Sequence, residues 1–345
     1  MEPVTHLLTG ACIGRAGLNR KTGLATLTLV LATEAADIDV VSYFGGSVSG
    51  FQHHRGFTHT LLGVPVVAAA TLLVVYGIDR LMRHRGRRPK IPVNWRLLYL
   101  YALLGGLVHI FLDFLNDYGV RPFAPFHPKW YSWDIVYIVD PVILSLLCLG
   151  LVMPALLALV SEEVGGRKPA FRGRAGAALA LVCIVVVILV RDFEHRKTVN
   201  ALKAVLHHGE DPLRVSAYPM PLNPFLWKGV VETQDLFEVS AVNPLENDID
   251  VQGSATIRYK PQETPVTLAA KKSQLGRVFL DWAKYPLVEV DQLARNEGYK
   301  VRFIDLRFAD PSLPARDQVL SGYVVLDPQL HPIRMGMGRD SASEK

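Results

Sequence analysis

Charge is scarce in this chain: Asp, Glu, Lys and Arg make up 20% of its residues, while half are hydrophobic. That balance excludes an extended, solvated chain. Cysteine is scarcer still. Cys12, Cys148 and Cys183 are the three present, each alone in an apolar segment, so neither a disulfide framework nor a CxxC zinc pair is available. The opening Met-Glu-Pro-Val-Thr-His carries no basic leader before an apolar run, and no cleavable signal peptide is expected. Internal repeats and low-complexity tracts are missing. The formal net charge of +5 is modest, with much of the surplus in two short loops. Such a distribution reads as membrane topology, not as a nucleic-acid surface, and no nucleic-acid partner is expected.

Length suggests about two domains, and the apolar residues divide them. Residues 1–192 hold nearly all the long uncharged runs. Leu61–Ile78, Leu97–Leu112, Pro141–Val160 and Ala175–Val190 are spans or near-spans against the ~20 apolar residues a bilayer requires. Thr5–Gly17 and Thr22–Thr33 are shorter apolar segments. Tyr43–Gly50 reads as a Gly/Ser loop and 116–133, rich in aromatics and proline, as a loop at a membrane interface. Residues 193–345 look soluble. His195–His208 has an amphipathic helical pattern and Ser273–Lys284 a helical one. Leu236–Val242, Ala255–Tyr259, Val301–Phe308 and Tyr323–Leu326 alternate as half-buried strands do. The expected architecture is an α-helical integral membrane domain over 1–192, with about four to six membrane helices, some short. A small α+β extramembrane domain over 193–345 follows.

The chain is organised around Phe51–Thr60, where three of its eleven histidines, His53, His54 and His59, share ten residues with Arg55 and Gly56. The basic loops 79–96 and 162–174 are expected in the cytoplasm by the excess of Lys and Arg in short loops. Following the chain from there puts His54, His59, His109, Asp113, Asp37, Asp39, Asp134, Asp140 and His6 at the opposite face. Residues 193–345 then lie outside the cytoplasm.

The residue types at that face suit a metal ion. His109 and Asp113 are four apart, so a helix sets both on one side; they are either a packing pair or part of a site. Asp37 and Asp39 fall on a turn that either aims both at one ion or is solvated. Neutral imidazole is a common metal ligand, whereas His53 is expected to be wet. Arg55 either holds an anionic substrate group or neutralises the carboxylates. Asp134 or Asp140 is either a ligand or a partner that orients a histidine; Asp140 also precedes Pro141 and is alternatively a helix-start cap or the base. His127, His195, His207 and His208 are expected at interfaces or surfaces.

These residues resemble the YdjM/DUF457 family of bacterial inner-membrane proteins, described as membrane-bound metal-dependent hydrolases. The resemblance covers about residues 1–160. It rests on Thr5-His6, Ala36-Asp37-Ile38-Asp39, His54-Arg55-Gly56-Phe57-Thr58-His59, His109 with Asp113, and Asp134 with Asp140-Pro141. Ala36 stands where the family usually has proline. The resemblance implies a hydrolytic metal site, and a remote similarity to zinc-dependent phospholipase C and P1-type nucleases points to phosphoesters.

The sequence reading is therefore a multi-pass inner-membrane hydrolase with a periplasmic C-terminal domain. His6, Asp37, Asp39, His54, His59, His109 and Asp113 are the expected ligands, Arg55 the anion binder and Asp140 the base. Zinc is the first expectation and manganese or another divalent ion the alternative. Expected partners are the bilayer, a lipid or phosphoester substrate, and an envelope protein through 193–345. The rival reading is a non-enzymatic transporter or metal-binding envelope scaffold.

Overall fold

The computed structural model describes residues 1–163, 173–221, 223–246, 255–310, 318 and 320–338. They divide into two compact units. The first contains residues 1–39, 55–194 and 219–224; the second contains 40–54, 195–218 and 225–345.

The first unit is helical. Its elements are α1 (Pro3–Arg15), α2 (Ala25–Ala32), α4 (Gly63–His84), α5 (Trp95–Leu115), α6 (Pro141–Glu163) and most of α7 (Arg174–Lys203). Among the described residues, α4, α5 and α7 are long and apolar enough to cross a membrane, and Pro141–Pro154 of α6 is a shorter apolar helix. On α4 the buried positions Val64, Ala68, Thr71, Val75 and Asp79 recur at helical spacing, while Val66, Leu73 and Val74 stand exposed. Outward apolar residues on α7, including Val182, Val185, Val186 and Leu189, make the same arrangement suited to lipid. Packing between α1 and α2 depends on glycine. A Cβ on Gly10 would stand 2.7 Å from the Leu29 carbonyl oxygen, and one on Gly14 would stand 2.8 Å from Thr26 Cα. Small residues one turn apart let the backbones approach this closely. Three helix starts in this unit are capped by side chains: the Glu2 carboxylate accepts from Val4 N and Thr5 N at α1, Asn94 Oδ1 accepts from Leu97 N at α5, and Asp140 Oδ1 accepts from Val142 N and Ile143 N at α6.

The second unit is α+β. One sheet has the order β1 (Arg214–Pro219), β2 (Trp227–Glu232), β3 (Leu236–Val242), β4 (Thr256–Tyr259). The other has the order β5 (Pro286–Gln292), β6 (Tyr299–Asp305), β7 (Gly322–Leu326), β8 (Pro332–Met337). Helices α8 (Pro265–Lys272) and α9 (Gln274–Trp282) complete it. Tyr218, Val230, Phe237 and Val239 of the first sheet share a core with Leu287 and Ile304 of the second. The fold is therefore a helical membrane part followed by an α/β part, as the hydrophobic patterning implies.

Three local expectations change. Tyr43–Gly50 is not an open loop: a 3-10 run, Ala35–Gly45, leads into α3 (Ser47–His53). The cause is burial, because Phe51 stacks on Phe279 at 6.0 Å and meets the edge of Trp282 at 5.1 Å. Leu61–Ile78 continues to His84, where Arg83 pairs with Asp79 at 2.7 Å one turn away. His195–Lys203 is not a separate helix but the end of α7. Of the second basic loop, Arg167, Lys168 and Arg172 lie outside the described residues.

Candidate metal centre

The site assembles from the ends of helices. His109 and Asp113 occupy the last two turns of α5. Asp37 and Asp39 follow α2 in the 3-10 run, His59 ends the 3-10 turn Phe57–His59 before α4, and His6 lies in α1. His6, His59, His109 and Asp113 are essentially fully buried, whereas the Asp37 side chain is 25% exposed.

Four of these residues converge. Asp37, His59, His109 and Asp113 each offer a donor atom within 4.8 Å of the others. The Nε2 atoms of His59 and His109 face each other at 2.9 Å. Asp37 Oδ1 is 3.3 Å from the first and 3.6 Å from the second, and Asp113 Oδ2 is 3.5 Å from both. Two ligands each about 2.0–2.1 Å from a tetrahedral ion stand about 3.4 Å apart. The histidine–carboxylate spacings of 3.3–3.6 Å lie close to that figure.

The tautomers make the arrangement specific. His109 Nδ1 lies 2.7 Å from the Thr33 carbonyl oxygen. A carbonyl only accepts, so Nδ1 carries the proton and Nε2 presents a lone pair. His59 Nδ1 lies 3.2 Å from Asp39 Oδ2 and 3.1 Å from Thr58 Oγ1, which likewise turns its Nε2 inward. Two imidazole lone pairs at 2.9 Å repel each other unless positive charge lies between them. A proton serves one such pair; a divalent ion serves all four donors. Without an ion, a proton on His59 fills that place between the two rings. Burial alone would lower the His59 value, but Asp113, Asp37 and Asp39 outweigh it and lift it to about 10. The donor set of two imidazoles and two carboxylates suits zinc, manganese or another borderline divalent ion, so the residues fit a metal and do not choose among metals.

The remaining expected residues surround this group. Asp39 Oδ2 also accepts from Arg55 N at 2.7 Å, so it lies on the side of the His59 ring away from the cluster. Arg55 is 4% exposed. Its guanidinium reaches Asp113 Oδ1 at 2.9 Å, Asn116 Oδ1 at 3.1 Å and the Gly119 carbonyl at 2.9 Å, above the Tyr118 ring. The Met1 amino group pairs with the same Asp113 oxygen. His6 stacks on His109 with centroids 4.0 Å apart, and its Nε2 is 3.3 Å from Asp113 Oδ1. Asp113 therefore has one oxygen held by cations and the other, Oδ2, buried without a hydrogen bond and directed at the histidines.

His54 closes α3 as its C-terminal cap and falls in the second unit. Asp140 is occupied elsewhere: Oδ1 caps α6 and Oδ2 meets Arg191 at 3.0 Å. Sequence reasoning missed Thr33, Asn116 and Gly119, which act through neutral or backbone groups and carry no charge signal. It also missed Glu34, whose Oε2 is buried without a hydrogen bond. Burial first, and Asp37 next, push its carboxyl up to about 8.

A helical membrane part carrying a buried His/Asp cluster, joined to an α/β part, defines the class of protein. The YdjM inner membrane protein family model matches residues 1–198, and the chain belongs to that family of inner-membrane proteins. A second model, the YfhP C-terminal alpha/beta plait domain, matches residues 265–340. An uncharacterized protein of Bacillus subtilis (strain 168), YfhP, is 26% identical over 329 residues, covering 89% of this chain and 87% of its own. No solved structure matches.

Proposed function

We propose that this chain is a membrane-bound metal-dependent hydrolase. Asp37, His59, His109 and Asp113 hold one divalent ion, zinc or manganese, at the outer face of the inner membrane. The observation that carries the reading is the approach of the His59 and His109 Nε2 atoms to 2.9 Å, with two carboxylates beside them. Bound there, a divalent ion supplies Lewis acidity to a phosphoester or lipid-linked ester. The chain's own groups do the rest. Thr33 and Asp39 fix the histidine tautomers, and Arg55 and His6 hold Asp113 in register. Asp37, the most exposed of the four, faces the side from which substrate enters. Topology follows the basic loops, which put the cytoplasm opposite the cluster and the C-terminal domain outside it.

One observation favours a second reading. Asp140 and Arg55, the expected base and anion binder, are both engaged in buried pairs. Four protein donors around a tetrahedral zinc also leave no open position. A non-enzymatic metal-binding scaffold or transporter needs neither group.

Purified wild type and His59→Ala are compared for bound metal and for turnover of a panel of lipid phosphates. Expected are one ion at this centre in wild type, its loss in the variant, and hydrolysis that chelator removes and a divalent ion restores. Metal retained in full by His59→Ala rejects the centre. Bound metal without turnover rejects the hydrolase and leaves the scaffold or transporter.

A further inference from the structure

A second constellation lies wholly within the α/β unit, at the turn after α7. His207 is fully buried and Glu238, on β3, is 2% exposed, so His207 is not the surface residue its position in the sequence suggests. Backbone bonds His207 N to Glu210 O, at 2.9 Å, and Glu210 N to His207 O, at 3.1 Å, close the turn. Left-handed residues His208 and Gly209 shape it. Both imidazoles thereby approach one carboxylate oxygen. His207 Nδ1 is 3.1 Å from Glu238 Oε2, and His208 Nε2 is 3.8 Å from it.

The hydrogen bonding leaves this group incomplete. His207 Nε2 lies 2.8 Å from the Leu202 carbonyl oxygen. Nε2 must donate there, so in the neutral ring Nδ1 is a lone pair, and it faces a carboxylate oxygen. Nδ1 and Glu238 Oε1 are both buried without a hydrogen-bond partner. Glu238, His208, Leu206, Gly209, Ala255 and Ile257 line a cavity of about 450 Å³, so Glu238 borders open space. A histidine whose far nitrogen is held by a backbone carbonyl is the usual arrangement behind a ligating imidazole. Both imidazoles approach the one Glu238 oxygen, at 3.1 and 3.8 Å, near the roughly 3.4 Å that separates two ligands of one tetrahedral ion.

We propose that Glu238, His207 Nδ1 and His208 Nε2 bind a second divalent cation, of the zinc type, in the α/β unit, with water from the cavity completing its shell. This site is independent of the membrane centre. The cation replaces the carboxylate–lone-pair opposition with bonds to both, and the half-exposed His208 closes over it.

The test uses the full chain in detergent with zinc as the probe. Bound zinc is counted after equilibrium dialysis in wild type and His208→Ala, and again with His59→Ala in each background. His208 is 47% exposed at its side chain, so its removal leaves the fold intact, and the circular dichroism spectrum checks this. The expected result is one zinc fewer with His208→Ala in both backgrounds, and likewise with Glu238→Gln. Cobalt added to His59→Ala should give the visible absorption of a four-coordinate site, absent when His208→Ala is added. Equal zinc counts with and without His208 overturn the proposal, as does a cobalt-loaded His59→Ala protein lacking that absorption. A doubly protonated His207 that persists in excess zinc overturns it too, because the pair is then an imidazolium–carboxylate ion pair. Since the membrane centre is removed in one background, its failure and the failure of this site are read separately.

Discussion

Asp113 divides its two oxygens between separate tasks, and Arg55 determines the division. The guanidinium forks to Asp113, Asn116 and Gly119 from a residue in left-handed backbone, φ 52°, a conformation that costs a non-glycine residue about 1–2 kcal/mol. The sequence alone leaves open an anion-binding Arg55 that lysine would impair only toward substrate. With the guanidinium buried on Asp113, Arg55→Lys instead loses the fork. Metal affinity should then fall by about 10–100-fold, measured by competition with a chromophoric chelator. Unchanged affinity would return Arg55 to the substrate. Glu34 gives a pH signature at the same scale. Its folded value of about 8 is raised above the ordinary 4.5. Its stabilising contribution is therefore complete below about 4.5 and lost as pH rises through about 8. Glu34→Gln should remove that decline, so the wild type melts progressively lower relative to the variant from pH 5 to 9. Parallel melting curves across that range would show that Glu34 does not titrate there.

Helix ends carry the site, and helix packing sets where those ends fall. Gly10 sits against Leu29 and Thr33, and Thr33 supplies the carbonyl that orients His109. A β-branched side chain at Gly10 must separate α1 from α2. Gly10→Val should cost about 1–3 kcal/mol, as overpacking does, and should also weaken metal binding by moving the Thr33 carbonyl. Thermal melting in detergent and the chelator competition report the two effects, and loss of stability with unchanged metal affinity would separate α2 from the site. The 3-10 run Ala35–Gly45 works similarly, since it turns Asp37 toward the histidine Nε2 atoms and Asp39 toward His59 Nδ1. A regular helix would send residues two apart to different sides.

For the whole molecule the question is where each part ends. Leu202 of α7 is fully buried with Val231 and Val242, and Phe51 of α3 packs on Phe279 and Trp282. A soluble fragment beginning at 209 lacks both, and it also lacks His207 opposite buried Glu238. Loss of a buried leucine alone costs about 2–5 kcal/mol. A fragment from 195 should therefore melt cooperatively and at a higher temperature than one from 209. Equal melting temperatures would remove Leu202 and His207 from the domain. Topology is tested on the intact chain. A reporter active only outside the cytoplasm should work after Lys345 and fail near Gly86, and the reverse result would invert the orientation.

Sequence alone determined the division into a helical membrane part and an α/β part, because burial in lipid requires long apolar runs and strands alternate. It also determined which residue types could hold an ion, since ionisable groups are costly beside membrane helices and few are present. His59, His109, Asp113 and Asp37, which the structure brings together, stood out for that reason. Tertiary structure decided what each neighbouring group touches. Asp39 turned outward to the far nitrogen of His59, Arg55 turned inward onto Asp113, and Asp140 was consumed by a helix cap and Arg191, none of which spacing along the chain can encode. Thr33, Asn116 and Gly119 entered through a carbonyl, an amide and a carbonyl. The pairing of His207 with Glu238 joins a turn to a strand. Such contacts depend on which backbones approach in space, and packing, not residue type, sets that approach.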